Sequence, residues 1–228
     1  MHIRGVIPAV LLLTAGCLEA QGPVRVQLVT GGHDHDISFY RVFENCPDLK
    51  VNVNPHPIAY RNDLRKSADV LVLYDMTDVT DEKQRTNLRN FVEAGKGVVV
   101  LHHAILDNKD WPWWYEEVVG GRYLEKGSRF KHDINLDIQI AGDHPVVKGI
   151  QPFRIYDEGY ADTWVSPKVK PLLKTKHPDS DELVGWISPY EKSRVVYIQL
   201  GHGREAHENP IYRKLVYQAI LWSAGRLN

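Results

Sequence analysis

The chain has 228 residues, 43% of them hydrophobic and 25% charged, and its 28 basic and 29 acidic side chains leave a net charge of −1. That composition suits one globular domain with a substantial core and excludes collagen-like, coiled-coil and largely disordered chains. The near-zero charge argues against a nucleic-acid binder, and two cysteines cannot build a disulfide framework or a Cys-rich zinc module. Eleven His and six Trp stand out.

Residues 1–20 read as a secretory signal: Arg4 supplies the positive start, and the apolar run from Val6 to Leu13 is too short to cross a bilayer as a helix. Two processing outcomes remain open. Leu13-Thr14-Ala15-Gly16-Cys17 resembles a bacterial lipobox that would lipidate Cys17, while cleavage after Ala20 would release a soluble protein. Thr14 departs from the lipobox pattern, which favours release. The expected location is periplasmic or extracellular, with membrane contact only through an anchor at Cys17. Cys46, near the end of an expected helix, is assigned no chemistry.

The mature domain, expected over residues 24–226, begins with the β-rich run Val24–Val29, followed by a helix over Ile37–Asn45 and a strand over Leu49–Val53. Asp69–Tyr74 and Gly97–Leu101 are continuous apolar runs, the mark of strands buried on both faces. Between them lies a helix over Thr80–Ala94, with Thr80 as its expected N-cap and Gly95 ending it. Short links between these elements predict a parallel, doubly wound sheet. The second half is patterned differently. Ile134, Leu136, Ile138 and Ile140 alternate with polar residues as in a half-exposed strand. Further runs at Phe153–Tyr156, Val169–Lys174, Leu183–Ile187 and Arg194–Leu200 predict an antiparallel extension of the same sheet. A helix from Pro210, capped by Asn209 and stopped by Gly225, closes the single domain.

Five histidines fall where strands stop: His33 and His35 after the first, His102 and His103 after Leu101, and His202 within Gly201-His202-Gly203. Ligands of open α/β sheets bind beyond the carboxyl ends of the strands, so these segments should converge. The Leu101-His102-His103 turn stands where related folds present a nucleophile, but it has no Ser, Cys or Thr. Acyl-enzyme chemistry is therefore not expected, and imidazole remains as acid, base or metal ligand. One of the pair is expected to face the site and the other the fold. Asp157-Glu158-Gly159-Tyr160 can bring a carboxylate. The catalytic candidates are His103, His202 and Glu158. Gly32, His33, Asp75, His102, His132 and Tyr160 are candidate substrate contacts, joined by Trp113 and Trp114 as an aromatic wall suited to a sugar ring. A divalent metal such as zinc would fall to His33, His103 and His202. His144 is expected to serve a turn, and His2, His56, His177 and His207 to lie on the surface.

In order and spacing, Gly31-Gly32-His33, Val70–Asp75, Phe91–Ala104, Gly120-Gly121-Arg122, His144–Ile150, Asp157–Tyr160 and Arg194–Gly203 resemble the ThuA-like, trehalose-utilisation family. The resemblance covers nearly the whole mature chain. It implies a class I glutamine amidotransferase-like fold, a flavodoxin-like three-layer sandwich with a mostly parallel sheet and antiparallel elaborations in the C-terminal half. It also implies carbohydrate metabolism, including sugars and 3-keto-glycosides. Amidotransferases of that superfamily carry Cys at the elbow, where this sequence has His102 and His103, so glutamine hydrolysis is not implied. The expected partner is a small carbohydrate, and the rival expectation is a non-catalytic sugar-binding protein dependent on Trp113 or Trp114.

Overall fold

The computed structural model describes residues 22–56 and 58–228, so the expected export segment, with Cys17, lies outside the described residues. The strands are β1 Val24–Gly31, β2 Leu49–Val53, β3 Val70–Asp75, β4 Gly97–Leu101, β5 Gly121–Arg122, β6 Arg129–Ile140, β7 Phe153–Ala161, β8 Trp164–Val165, β9 Lys170–Lys174, β10 Leu183–Ile187 and β11 Val195–Ile198. Nine of them form one sheet in the order β2-β1-β3-β4-β11-β10-β9-β6-β7, and β5 pairs with β8 separately. The β2-β1-β3-β4-β11 half is parallel; from β10 onward the pairs are antiparallel. This is the doubly wound sheet with an antiparallel extension that the sequence pattern implied.

The continuous apolar runs follow from two-sided burial, since successive side chains of a strand point to opposite faces. Val70, Val72, Val99 and Leu101 face one core cluster, where the last helix, α3 (Pro210–Ser223), inserts Leu215, Val216, Ala219 and Ile220. Leu71, Leu73, Val98 and Val100 face the other, closed by Leu88, Phe91 and Val92 of α1 (Glu82–Glu93). Asn209 caps α3 with its side chain, as expected, and Pro210 occupies its first turn. The cap of α1 is Asp81, whose carboxylate accepts from the Gln84 N–H, and not Thr80. Both residue types cap well, and the cap lies one position further along. The helix expected over Ile37–Asn45 is a 3-10 helix and ends at Phe43.

Because β1, β3, β4 and β11 are parallel, their carboxyl ends share one edge. That edge receives the loops bearing His33, Met76, His102 and His202. The N-terminal ends share the opposite edge, preceded by Asp69, Lys96 and Arg194.

Candidate functional site

At the carboxyl edge a cavity of about 290 Å³ is lined by His33, Met76, His102, His103, Leu106, Tyr123, Phe130, His132, Glu158, Tyr160 and His202. Four local devices build it.

The first is the turn after β4. His102 takes φ +50°, a left-handed conformation uncommon outside glycine, and a short 3-10 helix, His102–Leu106, begins there. The elbow brings both rings to the cavity, where one had been expected to turn into the fold. Both are almost wholly buried. His102 Nδ1 lies 2.6 Å from the Gln199 carbonyl, which can only accept, so Nδ1 carries a proton and Nε2 is turned to the cavity groups. Around Nε2 lie Glu158 Oε2 and Tyr160 Oη, each at 3.0 Å, and His202 Nδ1 at 3.1 Å. The Tyr160 ring also stacks on His102.

The second device holds the loop after β11. Asp157, buried on β7, accepts from the backbone N–H groups of Gly201 (2.8 Å), His202 (2.8 Å) and Glu158 (2.9 Å). Burial pushes this carboxyl above its ordinary range, opposed by His102 and the three N–H groups. Gly201 adopts φ +120°, and a Cβ there would meet Tyr212 Oη at 2.2 Å, so only glycine lets the loop pass this close. Neighbouring carboxylates thus divide their work: Asp157 fixes the loop and Glu158 faces the cavity.

The third is a β-bulge. The pairing of β6 with β7 runs in register from Arg129 to Lys131, shifts, and resumes at Ile134, with Asp133 at φ +59°. The extra residue re-aims His132, whose Nδ1 lies 3.0 Å from Glu158 Oε1. The fourth is the β1 loop. Gly32, at φ +76°, lies so close to Met76 that a Cβ would meet its carbonyl oxygen at 2.2 Å. The exposed His33 ring stacks on His103, with centroids 4.8 Å apart.

The electrostatics sort the imidazoles. Burial pushes Glu158 up, but hydrogen bonds and charge from His102 and His202 outweigh it and leave the carboxyl well below its usual range. The hydrogen bond to Glu158 raises His202, with burial opposing. Burial lowers His103 to about 2, with neighbouring His102 and His33 adding to the effect, and its side chain has no hydrogen-bond partner. So weak a base is poorly suited to the proton-accepting role expected of His103.

His102 Nε2, His202 Nδ1 and Glu158 Oε2 stand 3.0, 3.1 and 3.3 Å from one another. Ligands about 2.0–2.1 Å from a tetrahedral zinc stand roughly 3.3–3.4 Å apart, so three corners of such a site are nearly in place. The Gln199 carbonyl on the far nitrogen of His102 is the outer contact that orients metal-binding imidazoles. Among the described residues this trio forms the group of three His, Cys, Asp or Glu with ligand atoms within 4.8 Å of one another. It shares only His202 with the set expected from sequence, because His33 and His103 stack on each other instead.

Other expected contacts lie elsewhere. Asp75 is buried and bonded to His56 (2.6 Å), outside the cavity. Trp114 is buried in the core on the α1 face, and Trp113 packs against it, under the Arg89 guanidinium and beside Tyr190. The cavity's aromatic wall is instead Tyr123, Phe130 and Tyr160. His35 packs against Phe39, Tyr40 and Tyr74, and His144 accepts from the Val146 N–H in its turn. His207, expected on the surface, is fully buried and linked to Ser38 (2.9 Å), Tyr74 (3.2 Å) and the Gly201 carbonyl (2.9 Å). His56 also leaves the surface, with 9% of its side chain exposed. His177 is half-buried and accepts from the Asp179 N–H.

Residues 27–223 match the family described as ThuA, trehalose utilisation. The chain belongs to that family. Among solved structures it is similar to a ThuA-like protein from Parabacteroides merdae (18% identity over 90% of this chain and 92% of that one, TM-score 0.76). A ThuA-like protein from Bacteroides uniformis gives 19% identity over 91% and 94%, with a TM-score of 0.70. PurLQS from Thermotoga maritima gives 16% identity over 88% and 98%, with a TM-score of 0.58. At these identities the likeness establishes fold. Among curated proteins nothing matches the chain. In this ThuA-family chain, sequence reasoning missed Met76, Leu106, Tyr123 and Phe130 as cavity residues. Only Phe130 left a signal: it is an aromatic in the polar stretch Arg129–Asp133, before the apolar alternation of β6 begins.

Proposed function

We propose that the protein is an exported carbohydrate-active enzyme that cleaves 3-keto-glycosides by proton transfer assisted by a divalent metal such as zinc. The observation that carries this reading is the convergence of His102 Nε2, His202 Nδ1 and Glu158 Oε2, with the His102 ring held by Gln199, inside a cavity with an aromatic wall. A cation among these three groups would take the place of the protons that Glu158 shares with the two imidazoles. His102, Glu158 and His202 would hold the metal, which supplies Lewis-acid polarisation of the keto oxygen when bound.

The remaining steps fall to the chain's own groups. His132 has Nδ1 on Glu158 and half of its side chain exposed, leaving Nε2 to take the proton from the carbon beside the ketone. The released electron pair forms the ring double bond while the glycosidic C–O bond breaks, and the departing oxygen takes a proton from water at the cavity mouth. Burial pushes the Tyr160 hydroxyl well above its usual range, which keeps it a hydrogen-bond donor. Tyr123 and Phe130 offer apolar faces to a sugar ring. The rival sugar-binding module depended on Trp113 or Trp114, neither of which lines the cavity. The test is incubation of purified protein with 3-keto-glucosides of several linkages, with and without added zinc, followed by NMR. Cleavage that depends on metal and on Glu158 supports the reading. No turnover on any linkage under either condition overturns it.

A further inference from the structure

A broad groove lies at the opposite edge of the sheet, where β3, β4, β9 and β11 begin. It measures about 890 Å³ and bears six basic side chains, Lys96, Lys168, Lys170, Lys192, Arg194 and Arg226, against only Asp69 and Glu191. In a chain with a net charge of −1, this is a marked segregation of positive charge. Part of it is committed. Lys96 shares Asp69 with Arg25, and Arg194 donates to the Trp222 carbonyl at the end of α3. Lys168, Lys170 and Arg226 are exposed and make no ion pair among the described residues.

The groove also marks where the chain enters the domain. Arg226 donates to the Gly22 carbonyl (3.3 Å), just before β1. Gly22 is five residues from Cys17, the cysteine of the lipobox-like stretch, and five residues of fully extended chain reach at most about 18 Å. A lipid on Cys17 would therefore hold this face near the bilayer. The catalytic cavity, at the far ends of the same parallel strands, would open away from it.

We propose that the groove is a membrane-facing site for anionic lipid headgroups, which docks the domain with its histidine cavity turned outward. The contact rests on the export reading for its setting, but its chemistry is that of Lys168, Lys170 and Arg226 alone. A single cation near an anionic surface strengthens binding by roughly fivefold, so neutralising three is worth about 100-fold in partition.

The test is co-sedimentation of the purified full chain with phosphatidylcholine vesicles, with and without phosphatidylglycerol. The wild type is compared with the triple variant Lys168→Gln/Lys170→Gln/Arg226→Gln, after thermal melting has shown both to be folded. The expected result is a partition that rises with phosphatidylglycerol, falls at high salt and drops by one to two orders of magnitude in the triple variant. Partition indifferent to phosphatidylglycerol, or equal dependence on it in the triple variant, would overturn the proposal. So would glycerol phosphate in solution binding the groove as tightly as the vesicles do, which would make it a site for a soluble anion. Cys17→Ser separates the two ideas: the vesicle result should be unchanged in it, because Lys168, Lys170 and Arg226 alone carry the contact. Loss of sugar turnover in that variant would bear on the cavity, not the groove.

Discussion

Replacing Asp157 with Asn probes the link between the fold and the candidate site. The carboxylate accepts three backbone N–H groups, from Gly201 on Oδ2 and from His202 and Glu158 on Oδ1. Asn retains one carbonyl oxygen, which can serve the pair on Oδ1, but its NH₂ group then faces the Gly201 N–H, donor against donor. An unpaired buried donor costs about 1–3 kcal/mol, and two charge-assisted bonds weaken to neutral ones at about 1 kcal/mol each. Relief of the buried charge offsets part of this, because burial disfavours the ionised form of Asp157. The expected net loss is about 2–4 kcal/mol, and at roughly 2–4 °C per kcal/mol for a chain of this size Tm falls by about 4–16 °C. The Gly201-His202 backbone hangs from these bonds, so zinc affinity, read by calorimetric titration of the folded variant, should drop at least tenfold. A Tm within 1 °C of wild type would refute the reasoning. A lowered Tm with unchanged zinc affinity would show that Asp157 stabilises the fold without positioning His202.

Gly201→Ala should cost at least 2 kcal/mol in denaturant unfolding, since its Cβ would meet Tyr212 Oη at 2.2 Å on a backbone at φ +120°. His207 is held neutral, its folded value lowered by burial to about 4 against an ordinary 6.5. Its contribution to stability is therefore complete above pH 6.5, and it is lost as pH falls towards 4 because the unfolded chain takes the proton first. That loss amounts to about 3 kcal/mol, so melting across pH 4–7 should show a shallower acid slope in His207→Gln than in wild type. Trp113→Ala should leave sugar binding by NMR titration unchanged, whereas Phe130→Ala should weaken it severalfold, because Phe130 lines the cavity and Trp113 does not.

The sheet was legible because its signals are local and periodic. Two-sided burial makes Val70–Asp75 and Gly97–Leu101 apolar throughout, and one-sided burial makes Ile134–Ile140 alternate. Strand-end placement also brought His33, His102, His103 and His202 to one cavity, whereas Glu158 reaches it from within β7, which runs on to Ala161. The roles within it were not legible, because they depend on register and dihedrals. Which histidine after Leu101 turns a ring nitrogen to Glu158 and His202 is decided by φ +50° at His102 and by a carbonyl 97 residues away. The bulge that brings His132 to Glu158 exists only in the pairing of two strands. Trp113 and Trp114 misled for the opposite reason: the same residue types serve a sugar wall or a core, and only packing, as of Trp113 against Arg89 and Tyr190, distinguishes them. The burial of His56 and His207 was equally hidden, since each is satisfied by partners distant in sequence, Asp75, Ser38 and Tyr74.

The central claim is that His102, Glu158 and His202 together hold a divalent metal in the sugar-sized cavity. Zinc titration of the purified chain, alone and after Glu158→Gln or His102→Ala, tests it most directly. The expected result is one zinc per chain, with affinity reduced at least 100-fold in either variant while Tm without metal stays within a few degrees. Zinc binding that is absent from the wild type, or undiminished in both variants, would contradict it.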